Sequence, residues 1–522
     1  MTMAPPPPPP DEFGPFGPPL FDDPSARALS RVAVIDIGSN SIRMVVFDGA
    51  ARSPAYFFNE KVMAGLGAGF AETGRLNPQG KIRAMAAMRR FAQLVKGMGA
   101  SPVIAIATAA MREAEDGPEF RDEVEAETGI AITIINGEEE ARLSAQGVFV
   151  GWPDAEGLVC DIGGSSMELA RIGGGGTVGT RLTSPLGPLR LQGVKGGKKA
   201  LATHIREVVT GLGEEVGVHH DRLFLVGGSW RAIARIDMER RGYPLNVLHE
   251  YRMSPKQVRE TVKFIQKTPV ADLRAATGIG ESRMSLVPLA SLVLKEVVSR
   301  LKPKEIAVSS YGIREGVLYE QMPQPLRDRN PLIEACRFAE QKDARQPGFG
   351  RALYHFILPL FRSRSAGRLR IVRAACLLHD VNWRAHPDYR HEACFDSATR
   401  ANLGGLTHEE RLFLGLALLH RYKGSHKGTR FDQMNGILSE DEMLQAEVVG
   451  RAMRFGAMFS ATEPLSHGEM RWFPKRRHLE LRLTDDALDL FGEVAQSRFK
   501  ALVNALSATS EVKRFRGARA TG

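Results

Sequence analysis

Residues 157–170 read GLVCDIGGSSMELA, and the fold turns on how this stretch is read. Leu158, Val159 and Cys160 form an apolar strand that runs into Asp161. Gly163, Gly164, Ser165 and Ser166 then turn the chain, and Met167 and Glu168 open a second strand. Glycines let a backbone come close to a phosphate, and successive N–H groups in a tight turn form an anion nest. Two carboxylates beside such a nest would repel a phosphate, so a divalent cation is expected between them. Taken alone, the segment is equally a polar β-hairpin turn. An earlier stretch repeats it. In RVAVIDIGSNSIRMVVFDG (31–49), Val32, Val34 and Ile35 lead into Asp36, Gly38, Ser39, Asn40 and Ser41 turn, and Arg43 to Phe47 return. Strand, Asp-Ile-Gly, small hydroxyl residues and strand recur in the same order. That repeat implies two similar α/β domains facing each other, each offering one phosphate-binding hairpin to a cleft.

Outward from the hairpins, the intervening sequence supplies further candidates. A helix is expected over 79–97, with Ile82, Met85, Ala86, Phe91 and Leu94 near helical spacing. PVIAIATAAMREA (102–114) gives a buried strand over 103–107 and then a helix carrying Arg112, placed to clamp a phosphate bidentately if it faces the cleft. The strand ITIIN (132–136) runs into Gly137 and Glu138-Glu139-Glu140. Acids in a first helical turn suit the helix dipole, but three after a buried strand exceed what capping needs. One of them is a candidate general base. RLFLVGGSWRAIA (222–234) is another strand–glycine–helix unit, with Gly228 and Ser229 at a helix start that suits a phosphate. The loop 184–200 carries Lys195, Lys198 and Lys199, which meet an anionic chain or merely keep a loop soluble. EIAVS (305–309) and SSYGIREGVLYE (309–320) complete an alternation of strands and helices that sets the class as α/β.

Length and composition bound the rest. A chain of 522 residues is too long for one core, and 43% hydrophobic with 25% charged residues suits a globular protein. The segment 1–30 reads as a proline-rich disordered tail, with neither the basic start nor the apolar core of a signal peptide. No apolar run is long enough for a membrane span. Four cysteines without metal-ligand spacing, Cys160, Cys336, Cys376 and Cys394, point to reduced thiols and a cytoplasmic setting. A net charge of +10 suits a polyanionic partner, and no nucleic-acid module signature accompanies it. The domains expected are 31–150 and 151–325, both α/β, then a helical domain over 326–510, with 511–522 a basic frayed tail. In the helical part, His355, His379-Asp380, His391, His408 and His420 offer the ligand pattern of a metal-dependent HD phosphohydrolase, or else are core and contact histidines.

With DIGSNSIRMVV, ATAAMREA, INGEEEARLSAQGV, CDIGGSSMEL, VGGSWRAIA and SSYGIREGVLYE in order, the chain resembles the exopolyphosphatase / guanosine-pentaphosphate phosphohydrolase family. The motifs span about 31–322, and the tail with its LLHDV segment extends the likeness in architecture. The resemblance implies duplicated actin-like (ribonuclease H-like) domains followed by an all-α HD-like domain. It implies Mg²⁺-dependent, processive removal of terminal phosphate from inorganic polyphosphate, with guanosine pentaphosphate (pppGpp, and ppGpp as ligand) as the alternative, and a homodimer. Carried over by motif position, Glu140 and Glu168 match the catalytic carboxylates, and Asp36, Asp161 and Glu168 match the metal-holding set. Gly38, Ser39, Asn40, Ser41, Arg43, Gly163, Gly164, Ser165, Ser166, Gly228 and Ser229 form the phosphate-binding set, with Arg112 as clamp. Ser165 stands where the family's second loop usually has a third glycine, and its Cβ narrows the approach. Rival readings are a kinase of the same fold, a non-catalytic polyphosphate or (p)ppGpp binder, and an HD-type hydrolase centred on His379 and Asp380. None involves a membrane or a specific nucleic acid.

Overall fold

The computed structural model describes residues 28–434 and 436–514. Most of the two expected tails lies outside the described residues, but 28–30 and 511–514 are strand rather than tail. The chain divides into two units at Pro331/Leu332.

The first unit holds two sheets. The first comprises β1 (Ala28–Ile37), β2 (Ile42–Ala50), β3 (Ser53–Val62), β4 (Val103–Ala107) and β5 (Ile132–Ile134), in the order β3-β2-β1-β4-β5. The second comprises β6 (Gly157–Ile162), β7 (Met167–Gly173), β8 (Thr177–Ser184), β9 (Arg222–Val226), β10 (Arg252–Met253) and β11 (Glu305–Val308), in the order β8-β7-β6-β9-β11-β10. In both sheets the first three strands form an antiparallel meander, and the next two add in parallel to its first strand. The short antiparallel β10 extends only the second sheet. Central strands such as β1 read as apolar runs because both faces are covered, whereas the edge strand β3 alternates from Ala55 onward.

Helices close both faces. Pro78–Met98 begins at Asn77, whose side chain accepts from the Gly80 N–H at 2.8 Å, and it covers the first sheet. A second core gathers around β6, β9 and the helix Val287–Leu301. A third joins Val34 and Phe47 of the first sheet to Val159 and Phe224 of the second through the helices Gly137–Gly151 and Ile313–Gln321. Those two helices touch backbone to backbone. A Cβ on Gly147 would lie 2.1 Å from the Gly312 carbonyl oxygen, and one on Gly316 1.8 Å from that of Leu143.

The second unit is mostly helical, with Phe349–Ile357, Ala366–Leu378, His408–Tyr422, Glu440–Phe459 and Glu493–Ala505 as its main helices. It is not all-α. β12 (Gly468–Phe473), β13 (His478–Leu483) and β14 (Thr509–Arg514) form a three-stranded sheet in that order. β14 escapes a sequence reading because Thr-Ser-Glu-Val-Lys-Arg has no apolar alternation. Its parallel ladder to β13 and the Lys513–Glu480 contact at 2.9 Å define it instead. All four cysteines are buried and unpaired. Among the described residues no helix is long and apolar enough to cross a membrane.

Candidate active site

The two hairpins close in the same way. Gly38 N donates to Ser41 O at 3.1 Å, and Gly163 N to Ser166 O at 3.0 Å. Asp36 faces Arg43 across the first hairpin, and Asp161 faces Glu168 at the same register position of the second. The turns approach each other: a Cβ on Gly164 would sit 3.3 Å from the Cβ of Ser39. Each is braced from outside, by Gly67 N on Ser39 O at 2.8 Å and by Leu189 N on Gly164 O at 2.9 Å. Ser165 is buried in this packing rather than directed into the cavity.

A cavity of about 590 Å³ lies where the two sheets meet. Asp36, Gly38, Ser39, Asn40, Ser41, Arg43, Glu140, Asp161, Gly163, Gly164, Ser166, Gly228 and Ser229 all line it. The helix Gly137–Gly151 starts at Asn136, which accepts from Glu139 N at 2.8 Å, and its first turn sorts the three acids. Glu138 is exposed, Glu139 pairs with Arg142 at 2.6 Å, and Glu140 is buried at the cavity wall. Arg112 does not line the cavity. Its Nη1 donates to Glu140 Oε2 at 3.2 Å and to Ile135 O at 2.9 Å. Glu168 lies behind the wall, 1% exposed, accepting from Thr183 Oγ1 at 3.0 Å, and its Oε2 has no hydrogen-bond partner. Ser144 Oγ donates to Asp161. Gly227, at φ 108°, packs where a Cβ would lie 2.9 Å from Asp161 Oδ1, so only glycine fits there.

Four acids are therefore gathered at one side of the cavity, Glu140 and Glu168 buried and Asp36 and Asp161 half-buried. Burial pushes Glu140 up to about 8, with the charges of Asp161 and Asp36 adding to it against the pull of Arg112. Burial also raises Asp36 and Asp161, and it raises Glu168 well above the carboxylate range, with the Glu140 charge second. Hard oxygen donors that repel one another, one of them with an orphaned oxygen, fit a small divalent cation bound through one or two carboxylates and substrate phosphates.

Sequence reading missed the cations of this cavity. Lys61, Arg231, Arg235, Arg283 and Arg314 line it, brought together from four distant stretches. Arg231 and Arg314 each lie just past a strand end, the signal that had singled out Arg112. Arg283 lies in a helical stretch with no such mark. Its Nη1 would be 1.6 Å from a Cβ on Gly228, so a guanidinium covers that helix start.

The histidines of the second unit do not converge. His379 Nδ1 bonds to Cys376 O at 2.8 Å, and burial pushes it down to about 3. Both Nε and Nη2 of Arg345 donate to Asp380 at 2.7 Å, so a guanidinium occupies the carboxylate a metal would need. Among the described residues, the group of three with ligand atoms within 4.8 Å of one another is His478, Glu480 and Glu511. There Lys513 reaches Glu480 at 2.9 Å and Glu511 at 3.0 Å, and Arg482 reaches Glu480 at 3.1 Å, so both acids are already paired with cations.

Comparison with known proteins finds likenesses in both units. The profile of the Ppx/GppA phosphatase family matches residues 45–325, and that of the exopolyphosphatase C-terminal region matches 360–511. Exopolyphosphatase 1 of Mycobacterium bovis is 24% identical over 322 residues, covering 58% of this chain and 92% of that protein. Retrograde regulation protein 2 of Saccharomyces cerevisiae is 24% identical over 449 residues, covering 77% and 75%. The crystal structure of an exopolyphosphatase from Cytophaga hutchinsonii superimposes with a TM-score of 0.52 at 23% identity, over 56% of this chain and 98% of that one.

Proposed function

This chain belongs to the Ppx/GppA phosphatase family, and we propose that it is an exopolyphosphatase that hydrolyses the terminal phosphoanhydride bond of inorganic polyphosphate. The observation that carries this is the placement of Glu140. Of three consecutive acids, it alone is turned into the cavity that both phosphate turns line. Phosphoryl transfer asks mainly for positioning and charge stabilisation. Free backbone N–H groups of the two turns and the hydroxyls of Ser39, Ser41 and Ser166 receive the terminal phosphate. Glu140, held by Arg112, orients the attacking water and takes its proton. Asp36 and Asp161, with Glu168 behind them, would hold Mg²⁺. The ion would neutralise phosphate charge and favour the ionised form of Glu140. The matching strand orders support reading the two lobes as duplicated actin-like domains. The second unit is read as HD-like in its helices, without the metal.

Processive action and a homodimer belong to the same reading. Guanosine pentaphosphate is the alternative substrate, favoured by one observation: Leu248, Ile279 and Leu286 give the cavity an apolar stretch that an inorganic chain does not need. Phosphate release from polyphosphate of several lengths and from pppGpp, with and without Mg²⁺, tests the proposal. Release without any added alcohol acceptor separates it from a kinase. No release from any of these substrates removes it.

A further inference from the structure

The two lobes place an arginine at the same position. Arg112 follows the end of β4 by as many residues as Arg231 follows the end of β9, and those strands are topological equivalents. Their surroundings differ. Arg112 is spent on Glu140 and on the Ile135 carbonyl, and Glu113 lies 3.8 Å away. Arg231 lines the cavity and is anchored only by backbone carbonyls, Nε to Gly227 O at 3.1 Å and Nη1 to Ser310 O at 2.9 Å. Beside it stands Arg314, 5% exposed, lining the same cavity, with Nε and Nη1 lacking any hydrogen-bond partner. Neither makes an ion pair within 4 Å among the described residues, although the charges of Glu315, Asp36 and Asp161 act on Arg314. Burial lowers the affinity of Arg231 for its proton, and the charge of Arg314 lowers it further. Arg314 therefore keeps two buried donors unmet beside a second guanidinium, and an anion with several oxygens between them would meet those donors and offset the like charge.

The geometry points to Arg231 and Arg314 as the clamp that grips the substrate's phosphate oxygens, and to Arg112 as a positioning residue for Glu140 that does not touch substrate. The assignment rests on the phosphohydrolase reading above and refines which residues recognise the phosphate chain.

The test uses the full-length protein with tripolyphosphate and Mg²⁺ as the probe. In a Glu140→Gln background, tripolyphosphate is expected to raise Tm in a saturable way. Adding Arg231→Ala or Arg314→Lys should weaken that binding by about tenfold or more, as loss of a charge-assisted contact does, while Arg112→Lys weakens it less than about threefold. With Glu140 intact, Arg231→Ala should raise KM more than it lowers kcat. Arg112→Lys should lower kcat and displace the kcat–pH profile, with KM little changed. The ligand-free Tm of each variant reads folding separately, and Arg314→Lys keeps the buried charge while losing the fork. The assignment is overturned if Arg112→Lys weakens tripolyphosphate as much as Arg231→Ala, or if neither Arg231→Ala nor Arg314→Lys weakens it. Failure of the unsubstituted protein to release phosphate would remove the hydrolase reading, and the Tm titration would still decide the clamp.

Discussion

Glu140 concentrates the chemistry of this protein in one side chain, and its protonation can be followed through stability. Buried and crowded by Asp161 and Asp36, it is pushed up to about 8 from an ordinary value of 4.5. Between those values the folded protein keeps a proton that the unfolded chain has released. The stability tied to this group is therefore complete below about pH 4.5 and is lost as pH rises towards 8. Asp36, Asp161 and Glu168 are pushed the same way and add to the slope. Without divalent cations, Tm should fall across that window, and less steeply in Glu140→Gln. Equal slopes in the two proteins would remove Glu140 as a source. The same substitution keeps the shape of the group but removes its capacity to accept a proton. Phosphate release should drop about 10²–10⁴-fold, the usual worth of a general base, while tripolyphosphate binding by calorimetry persists. Retained turnover would take the base assignment away.

At the scale of elements, the helix that carries Glu140 and the helix Ile313–Gln321 act as a unit because glycines let them touch. Gly316 packs onto the Leu143 carbonyl, on the helix whose first turn carries Glu140. Gly316→Ala must push these helices apart. It should destabilise the protein by about 1–3 kcal/mol, as overpacking does, and lower kcat by moving Glu140. A Tm unchanged within error would show that the helices separate without strain. Much of this was legible in the sequence. Asp36 and Asp161 end apolar strands, and glycine with hydroxyl residues follows each, so local chemistry alone marks both turns. Local chemistry alone narrows the base to three acids, and only the family motif singles out Glu140, because the choice depends on which face of the helix meets the cavity. Arg231 and Arg314 were quoted inside motifs and given no role. Their meaning comes from tertiary closure, which sets one lobe's arginine in the cavity and ties its equivalent, Arg112, to Glu140. The sheet of the second unit was blurred for a similar reason, since β14 is defined by its neighbour rather than by its own side chains.

Across the whole molecule, the chain divides into a unit that holds the candidate chemistry and a unit whose His-Asp pair is tied up by its own neighbours. In the second unit, Asp380 is bound by the Arg345 fork, and Tyr422 also donates to it. Asp380→Asn leaves Arg345 with a weaker acceptor and exposes Arg421 to an uncompensated buried position, since Asp380 is a principal acid facing it. Such a change should lower Tm by several degrees while leaving kcat for tripolyphosphate within about twofold. A loss of kcat comparable to that of Glu140→Gln would instead move catalysis to the His-Asp pair and sink the division of labour. The long-range charge makes a separate demand. A net charge of +10, with several cations inside one cavity, attracts a chain of phosphates in proportion to how many it can engage at once. KM should fall as polyphosphate lengthens until every contact is filled. It should rise with salt, because the screening length shrinks to about 10 Å near 0.1 M. The salt effect should be larger for long chains than for tripolyphosphate, since each further contact displaces further counterions. Steady-state kinetics at two ionic strengths with defined chain lengths measure this. A KM indifferent to length at low salt would confine recognition to the terminal phosphates and leave the surface charge without a part in binding.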